Sequence, residues 1–143
     1  GLPGARFATG HLDGTIVVWT SGGDLMATLE GHTDAVLSLA TTPCGDIVSA
    51  SKDFTVKVWR DTACLHTLEG HDAEVCTVAV SDASSPDDTF VSGSFDKTCK
   101  VWSASTGACV ATLEGHTDGV STVCLLHSGN VVTGSFDRTV RVW

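Results

Sequence analysis

Tryptophan recurs along this chain at nearly constant intervals, and this recurrence limits the possible folds more than any other feature of the sequence. The four tryptophans are Trp19, Trp59, Trp102 and Trp143, which lie 40, 43 and 41 residues apart. The stretches that end at the last three tryptophans also begin alike, with Leu-Glu-Gly-His at residues 29–32, 68–71 and 113–116. A self-similarity with a period of about 40 residues indicates a repeat architecture, in which each copy is one supersecondary unit.

Other residues keep a fixed distance from each tryptophan. An aspartate precedes each tryptophan by six residues, a threonine follows that aspartate by two, and a Ser or Thr precedes it by four. The aspartates are Asp13, Asp53, Asp96 and Asp137, the threonines are Thr15, Thr55, Thr98 and Thr139, and the Ser or Thr residues are Thr9, Ser49, Ser92 and Thr133. A Gly-His pair with His32, His71 or His116 opens the three fuller copies, whereas the first copy has only its later half.

This pattern, in which a Gly-His pair is followed by an aspartate and by a strand that ends in tryptophan, resembles the repeat of the WD-repeat β-propeller family. The resemblance covers essentially all 143 residues. It implies an all-β fold built of four-stranded blades. Short segments rich in Val and Thr, separated by turn residues, are also typical of an all-β chain. No stretch has a sustained helical periodicity.

The strand pattern predicts sheets of three, four, four and three strands, which amounts to about three and a half four-stranded blades. We expect one partial WD-repeat β-propeller over residues 1–143, with approximate repeats 1–28, 29–67, 68–112 and 113–143. Propeller rings usually have about four to eight blades. We therefore expect a part of a larger ring, completed by missing sequence or by further chains. A strained four-blade ring and an assembly of copies are the alternatives.

The resemblance also implies a role for the repeated polar residues. In the family, the tryptophan N–H donates to the Ser or Thr hydroxyl, the hydroxyl donates to the histidine, and the histidine donates to the aspartate. Carried over by position, these structural tetrads are His32/Ser49/Asp53/Trp59, His71/Ser92/Asp96/Trp102 and His116/Thr133/Asp137/Trp143, with a partial set Thr9/Asp13/Trp19. Such a network stabilises a partly buried region only if every member has its partners.

Ser, His and Asp together also suggest a catalytic triad, in which a base activates a nucleophile beside an oxyanion site. A catalytic site is usually built once, however, whereas this set recurs in every repeat that is long enough. Thr133 also stands where Ser49 and Ser92 stand in the other repeats. We therefore interpret the sets as structural, and we expect no catalytic residue and no enzyme activity.

The remaining histidines and glycines do not form a recognisable cofactor site. His11, His66 and His127 each lack a second ligand at the spacing of a zinc site. Gly10 and Gly14 resemble a glycine-rich phosphate loop only superficially, because no helix follows them. We expect neither a metal nor another cofactor.

The chain is acidic, with a net charge of −9 from 8 basic and 17 acidic side chains. This balance argues against binding to nucleic acid or to an anionic membrane, and it is compatible with a basic peptide partner. Basic residues recur only singly, at Lys57, Lys100 and Arg141, and we expect their charged ends to reach water. No run is long and apolar enough for a transmembrane helix, and no signal peptide is recognisable.

Cysteine usage indicates the cellular compartment. The six cysteines form no Cys-x-x-Cys motif, and they are Cys44, Cys64, Cys76, Cys99, Cys109 and Cys124. Most of them fall where we expect strand residues to point inward, so we predict free thiols in the core rather than a disulfide framework. Free thiols are typical of a reducing compartment, which indicates an intracellular protein, cytoplasmic or nuclear.

In the family, the side chains at the mouth of the central channel often come from two columns. The column before each aspartate holds Leu12, Lys52, Phe95 and Phe136, and the column before the first Val of each inner strand holds Ala35, Glu74 and Gly119. These columns differ between repeats, as a recognition surface would, whereas the tetrad columns are uniform. We therefore predict that these residues bind a partner, although the two phenylalanines could instead pack locally. Aromatic rings beside an acid would suit a peptide with Arg or Lys.

One repeat carries an insertion. The interval from His71 to Asp96 is 25 residues, against 21 in the other two full repeats. The extra residues lie in the polar and acidic stretch 81–88, which we interpret as a solvated loop between two strands. Partner contact is the alternative, because loops vary where proteins bind.

These observations predict a non-enzymatic scaffold or adaptor for protein–protein interaction, which presents a propeller face to a peptide or protein partner. One alternative is a propeller domain that positions a substrate for a larger enzyme. Another is an architectural segment of a large assembly. The fold alone does not decide among these functions.

Overall fold

The computed structural model describes residues 6–81, 88–126 and 128–143, and within them the chain forms 14 strands and no helix. In chain order the strands are β1 (Arg6–Gly10), β2 (Ile16–Thr20), β3 (Leu25–Leu29), β4 (Val36–Thr41), β5 (Ile47–Ser51), β6 (Val56–Arg60), β7 (Ala63–Leu68), β8 (Val75–Val80), β9 (Thr89–Ser94), β10 (Cys99–Ser103), β11 (Cys109–Leu113), β12 (Val120–Leu125), β13 (Val131–Ser135) and β14 (Val140–Val142). These segments are rich in Val and Thr, which favour strands, and turns rich in Gly and Asp separate them.

The strands form four antiparallel sheets in which neighbours in sequence are neighbours in space. The first sheet is β1-β2-β3, the second β4-β5-β6-β7, the third β8-β9-β10-β11 and the fourth β12-β13-β14. The first strand of each sheet lies near the first strand of the next, since β1 lies against β4, β4 against β8 and β8 against β12. The prediction of an all-β partial propeller with sheets of three, four, four and three strands is confirmed.

The apolar core lies between consecutive sheets. Ile16 and Val18 of the first sheet pack with Trp59 of the second, and Val58 of the second packs with Phe90 of the third. A third cluster joins the third and fourth sheets. Each blade thus buries its apolar face against the next blade, so the stability of each depends on its neighbours.

The prediction that most cysteines lie in the core is wrong. All six are free thiols, but only Cys99 is buried and Cys76 is half-buried. Burial raises the pKa of Cys76 to about 11 and that of Cys99 to about 12, so both remain protonated thiols at neutral pH. The exposed cysteines lie in a turn, near the start of an outer strand or on β12; they are Cys44, Cys64, Cys109 and Cys124.

The prediction that the basic side chains of the third strands reach water is also wrong for one of them. Lys57 is only 8% exposed, and its Nζ donates to Thr67 Oγ1 of the outer strand at 2.8 Å. Lys100 makes the equivalent bond to Thr112 at 3.0 Å. The long side chain lies along the sheet and finds a hydroxyl partner on the next strand, so the ammonium does not have to leave the protein.

Two parts of the predicted pattern cannot be compared with the structure. Residues 82–87 of the acidic stretch 81–88 lie outside the described residues, and so does His127. Within the described ranges, no helix is long and apolar enough to cross a membrane.

Candidate functional site

In the second sheet, His32, Ser49, Asp53 and Trp59 form one hydrogen-bonded chain. Trp59 Nε1 donates to Ser49 Oγ at 2.8 Å, and Ser49 Oγ lies 2.7 Å from His32 Nε2. His32 Nδ1 lies 2.7 Å from Asp53 Oδ2. Because an ionised carboxylate can only accept, Nδ1 carries the proton of the neutral ring, and Nε2 accepts from the Ser49 hydroxyl. The chain joins β5 and β6 to the loop that enters β4.

The third and fourth sheets repeat this geometry. Their Trp-to-hydroxyl distances are 2.8 and 3.0 Å, their hydroxyl-to-His distances 2.8 and 2.7 Å, and their His-to-Asp distances 2.6 and 2.7 Å. The structure therefore brings together all three sets of four that the sequence singled out. In the portion that the structure describes, no buried side-chain nitrogen or oxygen lacks a hydrogen-bond partner.

The electrostatics of the second-sheet set favour a neutral imidazole beside an ionised carboxylate. Burial acts to raise the pKa of Asp53, but hydrogen bonds from Thr55 and His32 outweigh it and lower the pKa to about 2. Burial lowers the pKa of His32 below its usual 6.5, and this effect outweighs the opposing attraction of Asp53. At neutral pH the pair is therefore held together by a hydrogen bond to an anion rather than by two opposite charges.

The other two aspartates also stay ionised. Burial acts to raise the pKa of Asp96, but hydrogen bonds from His71 and Thr98 hold it well below its usual range. The hydroxyl of Thr139 has the largest effect on Asp137 and likewise lowers its pKa.

This arrangement is suited to structure rather than to catalysis. Ser49, Ser92 and Thr133 are each 0% exposed, and each already accepts a hydrogen bond from a tryptophan. A nucleophile needs room for a substrate carbonyl beside its oxygen. No such room exists at a hydroxyl without solvent exposure. What the sets do is fix the loop that enters each inner strand.

The first sheet holds the partial set in a different arrangement. Trp19 Nε1 donates to Thr9 Oγ1 at 3.0 Å, and His11 Nε2 lies 3.0 Å from the same oxygen. Asp13 Oδ1 accepts from the backbone N–H and the hydroxyl of Thr15, at 3.0 and 2.7 Å. Sequence reasoning missed His11, because it stands outside the repeated columns. The sequence held one signal of this contact, because His11 stands two residues after Thr9 and its ring can reach the Thr9 hydroxyl.

The two predicted channel-mouth columns lie side by side in every sheet that has both. In each case the backbone N–H of the residue in the first column donates to the backbone carbonyl of the residue in the second column. The bonds run from Lys52 to Ala35 at 2.9 Å, from Phe95 to Glu74 at 3.0 Å and from Phe136 to Gly119 at 3.0 Å. The columns therefore meet through the backbone, and this pairing holds their side chains at one end of the sheets. Leu12, which has no such counterpart, is 85% exposed.

Phe95 and Phe136 stack on each other across the gap between the third and fourth sheets. Their ring centroids are 5.6 Å apart with an interplanar angle of 8°. Gly119 makes this possible, because a Cβ there would lie 2.7 Å from Phe95 Cδ1. The two residues remain 41% and 56% exposed, so the pair is both packed and accessible.

The remaining predicted mouth residues differ in what they can offer to a partner. Glu74 and Lys52 form an exposed ion pair, with Nζ 3.5 Å from Oε1. Ala35 is only 3% exposed and Gly119 is buried, so these two contribute packing rather than contact surface. The accessible part of the predicted surface is therefore Phe95, Phe136, Glu74, Lys52 and Leu12.

The described residues contain no group of three or more His, Cys, Asp or Glu side chains that could hold a metal ion. His66 instead uses Nε2 to contact the carbonyl oxygen of Ser105 at 3.2 Å, which links the second sheet to the third.

The chain is similar to several known proteins along almost its whole length. It is 38% identical over 153 residues to the nuclear distribution protein PAC1 of Arthroderma otae, which covers 97% of this chain and 33% of that protein. It is 37% identical to PAC1 of Arthroderma benhamiae, covering 92% of this chain and 31% of the relative. It is 30% identical to the ribosome biogenesis protein WDR12 homolog of Drosophila yakuba, covering 98% of this chain and 39% of the relative. The chain thus spans about a third of the length of the curated relatives it matches.

A family model matches the same repeats that the tryptophans mark. The model is described as "WD domain, G-beta repeat", and it matches residues 23–60, 62–103 and 107–143. These three matches cover more than half of the chain, and their ends fall at or next to Trp59, Trp102 and Trp143. With its four sheets and its hydrogen-bonded sets, the chain belongs to the WD-repeat family of β-propeller proteins.

Proposed function

We propose that this chain is a non-enzymatic interaction platform, and that it binds a protein or peptide partner at the mouth of the propeller channel. The observation that carries the proposal is the stacked and exposed pair of Phe95 and Phe136. Aromatic side chains that remain accessible on a rigid surface are typical anchors of protein interfaces.

The stacked geometry decides how a partner can use these rings. Parallel rings with centroids 5.6 Å apart leave no room for a cation between them. The accessible edges and outer faces can still pack against an apolar group or against the flat guanidinium of an arginine. We infer that the pair acts as one apolar platform rather than as two walls of a cage.

The ion pair of Lys52 and Glu74 gives this surface a preference for a basic ligand. Lys52 and Glu74 are both substantially exposed, and an exposed pair of this kind contributes little to folding stability. An incoming arginine can replace Lys52 at Glu74 and form two parallel hydrogen bonds with the carboxylate. The net charge of −9 also attracts a basic partner. The preferred ligand is therefore a segment with an arginine next to an apolar residue.

The setting of the chain is inferred from its relatives. The names of those relatives refer to nuclear distribution and to ribosome biogenesis, which supports an intracellular protein that works with other proteins. The chain covers about a third of the length of these relatives, and we infer that it forms a sector of a larger ring.

The test is a pull-down with the double variant Phe95→Ala/Phe136→Ala, with bound proteins quantified by mass spectrometry. Truncation of a central aromatic anchor typically costs about 2 kcal/mol or more, so specific partners should be depleted more than tenfold. The control is Leu65→Ala/Val110→Ala, which removes comparable exposed apolar surface from the outer strands. A folded Phe95/Phe136 variant that keeps every partner would overturn the proposal. The acidic stretch 81–88 would then become the candidate surface.

A further inference from the structure

A side chain bridges each of the two gaps between the last three sheets, at the end that carries the proposed binding surface. Lys52 of the second sheet reaches Glu74 of the third, with Nζ 3.5 Å from Oε1. In the next gap Phe95 lies over Gly119, where a Cβ would lie 2.7 Å from Phe95 Cδ1. Lys52 and Phe95 hold the same place in their repeats, and so do Glu74 and Gly119. One gap is thus bridged by an ion pair and the other by an aromatic ring.

Glu74 connects these two bridges. Its backbone carbonyl accepts a hydrogen bond from the Phe95 N–H at 3.0 Å, and its carboxylate holds the Lys52 ammonium. Because the backbone bond fixes Glu74 beside Phe95, a cation that binds this carboxylate lies next to the platform of Phe95 and Phe136. The carboxylate at the platform is therefore already occupied by a lysine of the same chain.

The contact between Lys52 and Glu74 is weak but persistent. The separation of 3.5 Å is longer than the 2.7 Å between Arg60 and Asp46, and strong hydrogen bonds between opposite charges span about 2.7–2.9 Å. The Lys52 and Glu74 side chains are 42% and 36% exposed, so water competes for both. The Lys52 backbone is nevertheless fixed, since its N–H donates to the Ala35 carbonyl at 2.9 Å. The ammonium thus stays within reach of Glu74 and competes with any cationic ligand.

The other three lysines of the chain have no such role. Lys57 is only 8% exposed, and its Nζ donates to a threonine hydroxyl of the outer strand. Lys100 makes the equivalent bond. Lys97 is exposed and makes no ion pair with any side chain that the structure describes. The charge of Lys52 therefore bears directly on the binding surface, whereas the other three charges do not.

From these features, and resting on the function proposed above, we propose that Lys52 is an autoinhibitory gate and that acetylation of its amine opens Glu74 to a basic ligand. In this modification the neutral Nζ attacks the carbonyl carbon of an acetyl thioester. A C–N bond forms as the C–S bond breaks, and the proton that Nζ gives up passes to the leaving thiolate. The amide product carries no charge, so it no longer holds the Glu74 carboxylate.

The probe is N-acetyl-arginyl-leucine amide, which combines a guanidinium with an apolar side chain. Surface plasmon resonance on the immobilised 143-residue chain measures its affinity, because immobilisation keeps the chains apart. A competitor lowers the apparent affinity by the fraction of molecules in which Glu74 is free. Since an exposed ion pair is a weak one, Lys52→Met should bind the probe about two- to fivefold more tightly. A chain acetylated at Lys52 should match this variant.

Matched controls separate competition at Glu74 from the overall charge of the chain. Lys97→Met removes the same charge from a nearby exposed turn and should change the affinity much less. Glu74→Gln should weaken binding, and adding Lys52→Met to it should bring no further gain, because the two residues act through one contact. A probe with citrulline, the neutral isostere of arginine, should bind equally to the wild-type chain and to Lys52→Met.

The outcomes distinguish the gate from the binding surface itself. Equal affinities of the wild-type, Lys52→Met and acetylated chains would overturn the gate, and so would a gain that persists with Glu74→Gln or equals that of Lys97→Met. The proposed function would still stand if Phe95→Ala/Phe136→Ala weakened binding. A Lys52→Met gain with no loss in the phenylalanine variant would support the gate and contradict the aromatic platform. Absence of binding to every chain, including Lys52→Met, would overturn both proposals.

Discussion

The backbone of Lys97 has the same left-handed conformation as that of Gly14, with φ angles of 74° and 86°. The two residues occupy one turn position, directly after the aspartate of their sheets. Phe54 and Arg138 hold the same position with φ of 71° and 68°. This conformation costs an L-residue about 1–2 kcal/mol and costs glycine very little. The position therefore carries strain in three of the four sheets.

The variant Lys97→Gly should stabilise the protein. The backbone N–H of residue 97 donates to the carbonyl of Ser94, and glycine keeps this bond. Part of the gain is offset because glycine gives the unfolded chain more freedom, so we expect a net increase of up to about 1 kcal/mol. Urea unfolding measures the change. The control Lys100→Gly lies within β10 and should destabilise instead, since glycine weakens a strand interior. Loss of stability in both variants would contradict the argument.

The variant Asp96→Ala should be far less stable than Asp88→Ala. The Asp96 carboxylate accepts from His71, from the backbone N–H groups of Asp72 and Thr98, and from the Thr98 hydroxyl. Removing it leaves donors unsatisfied, at about 1–3 kcal/mol for each one that is buried. Asp88 is exposed. Its backbone carbonyl accepts a hydrogen bond from the N–H of Ala104, and this bond does not depend on the Asp88 side chain. Equal melting temperatures of the two variants would show that the hydrogen-bonded sets do not carry this stability.

The parts of the fold that the sequence predicted are those that recur in register. The sheet pattern follows from the repeated Trp, Asp and Thr columns, because a residue that every blade needs appears in every copy. The three complete sets of His, Ser or Thr, Asp and Trp could be predicted for the same reason. The larger ring and the repeat boundaries stay predictions.

Features that depend on the distance between blades could not be read from the sequence. The stacking of Phe95 on Phe136 requires knowledge of how closely two sheets approach and of the room that Gly119 leaves. The contact of His11 with Thr9 depends on how the chain enters the turn after β1, which the repeated columns do not specify. The exposure of Cys64 was misjudged because alternation along a strand predicts the face on which a side chain lies, but not whether a neighbouring sheet covers that part of the face.

Acid should destabilise the protein in two stages. The pKa of His32 in the folded protein is lowered from 6.5, mainly by burial, so the unfolded chain binds this proton more readily. The stability from the neutral ring is present above pH 6.5 and is lost as the pH falls toward the folded pKa. The pKa of Asp53 falls from 3.8 to about 2, so its contribution is present above pH 3.8 and is lost as the pH falls through about 2.

Thermal unfolding across this pH range measures the combined effect, and the melting temperature should decline in both windows. An NMR titration of the His32 ring gives the individual value, which should lie below 6.5. A midpoint at or above 6.5 would mean that Asp53 stabilises the imidazolium more than burial destabilises it, and the assigned order of the two effects would be reversed.

The open edge of β14 should make the isolated chain self-associate. Val140 and Val142 are 72% and 64% exposed on a strand that pairs on one side only among the described residues. Exposed apolar edge strands favour pairing with other chains, and lysine on such an edge opposes it. Sedimentation at several concentrations should show association, which Val140→Lys/Val142→Lys should reduce. A compact monomer at every concentration would contradict this expectation.

The final prediction concerns a small residue where two inner strands meet. Gly93 pairs with Thr77 across β9 and β8, and Gly134 pairs with Thr122 in the fourth sheet, but in the second sheet Ala50 pairs with Ser38. Glycine thus pairs with threonine, and the larger alanine pairs with the smaller serine. This exchange indicates that the space available to the two side chains of a pair is fixed. A Cβ on Gly93 would lie 2.9 Å from Thr77 Cγ2 and 2.8 Å from Val120 Cγ1.

The variant Gly93→Ala should therefore destabilise the protein by about 1–3 kcal/mol, the usual cost of overpacking a core. Adding Thr77→Ser removes the methyl group that the new Cβ would meet, and it reproduces the Ala–Ser pair of the second sheet. The double variant should recover part of the loss, but not all of it, because Val120 still lies close. A double-mutant cycle in urea measures this coupling. Additive effects of the two changes would show that Thr77 does not limit the space at Gly93.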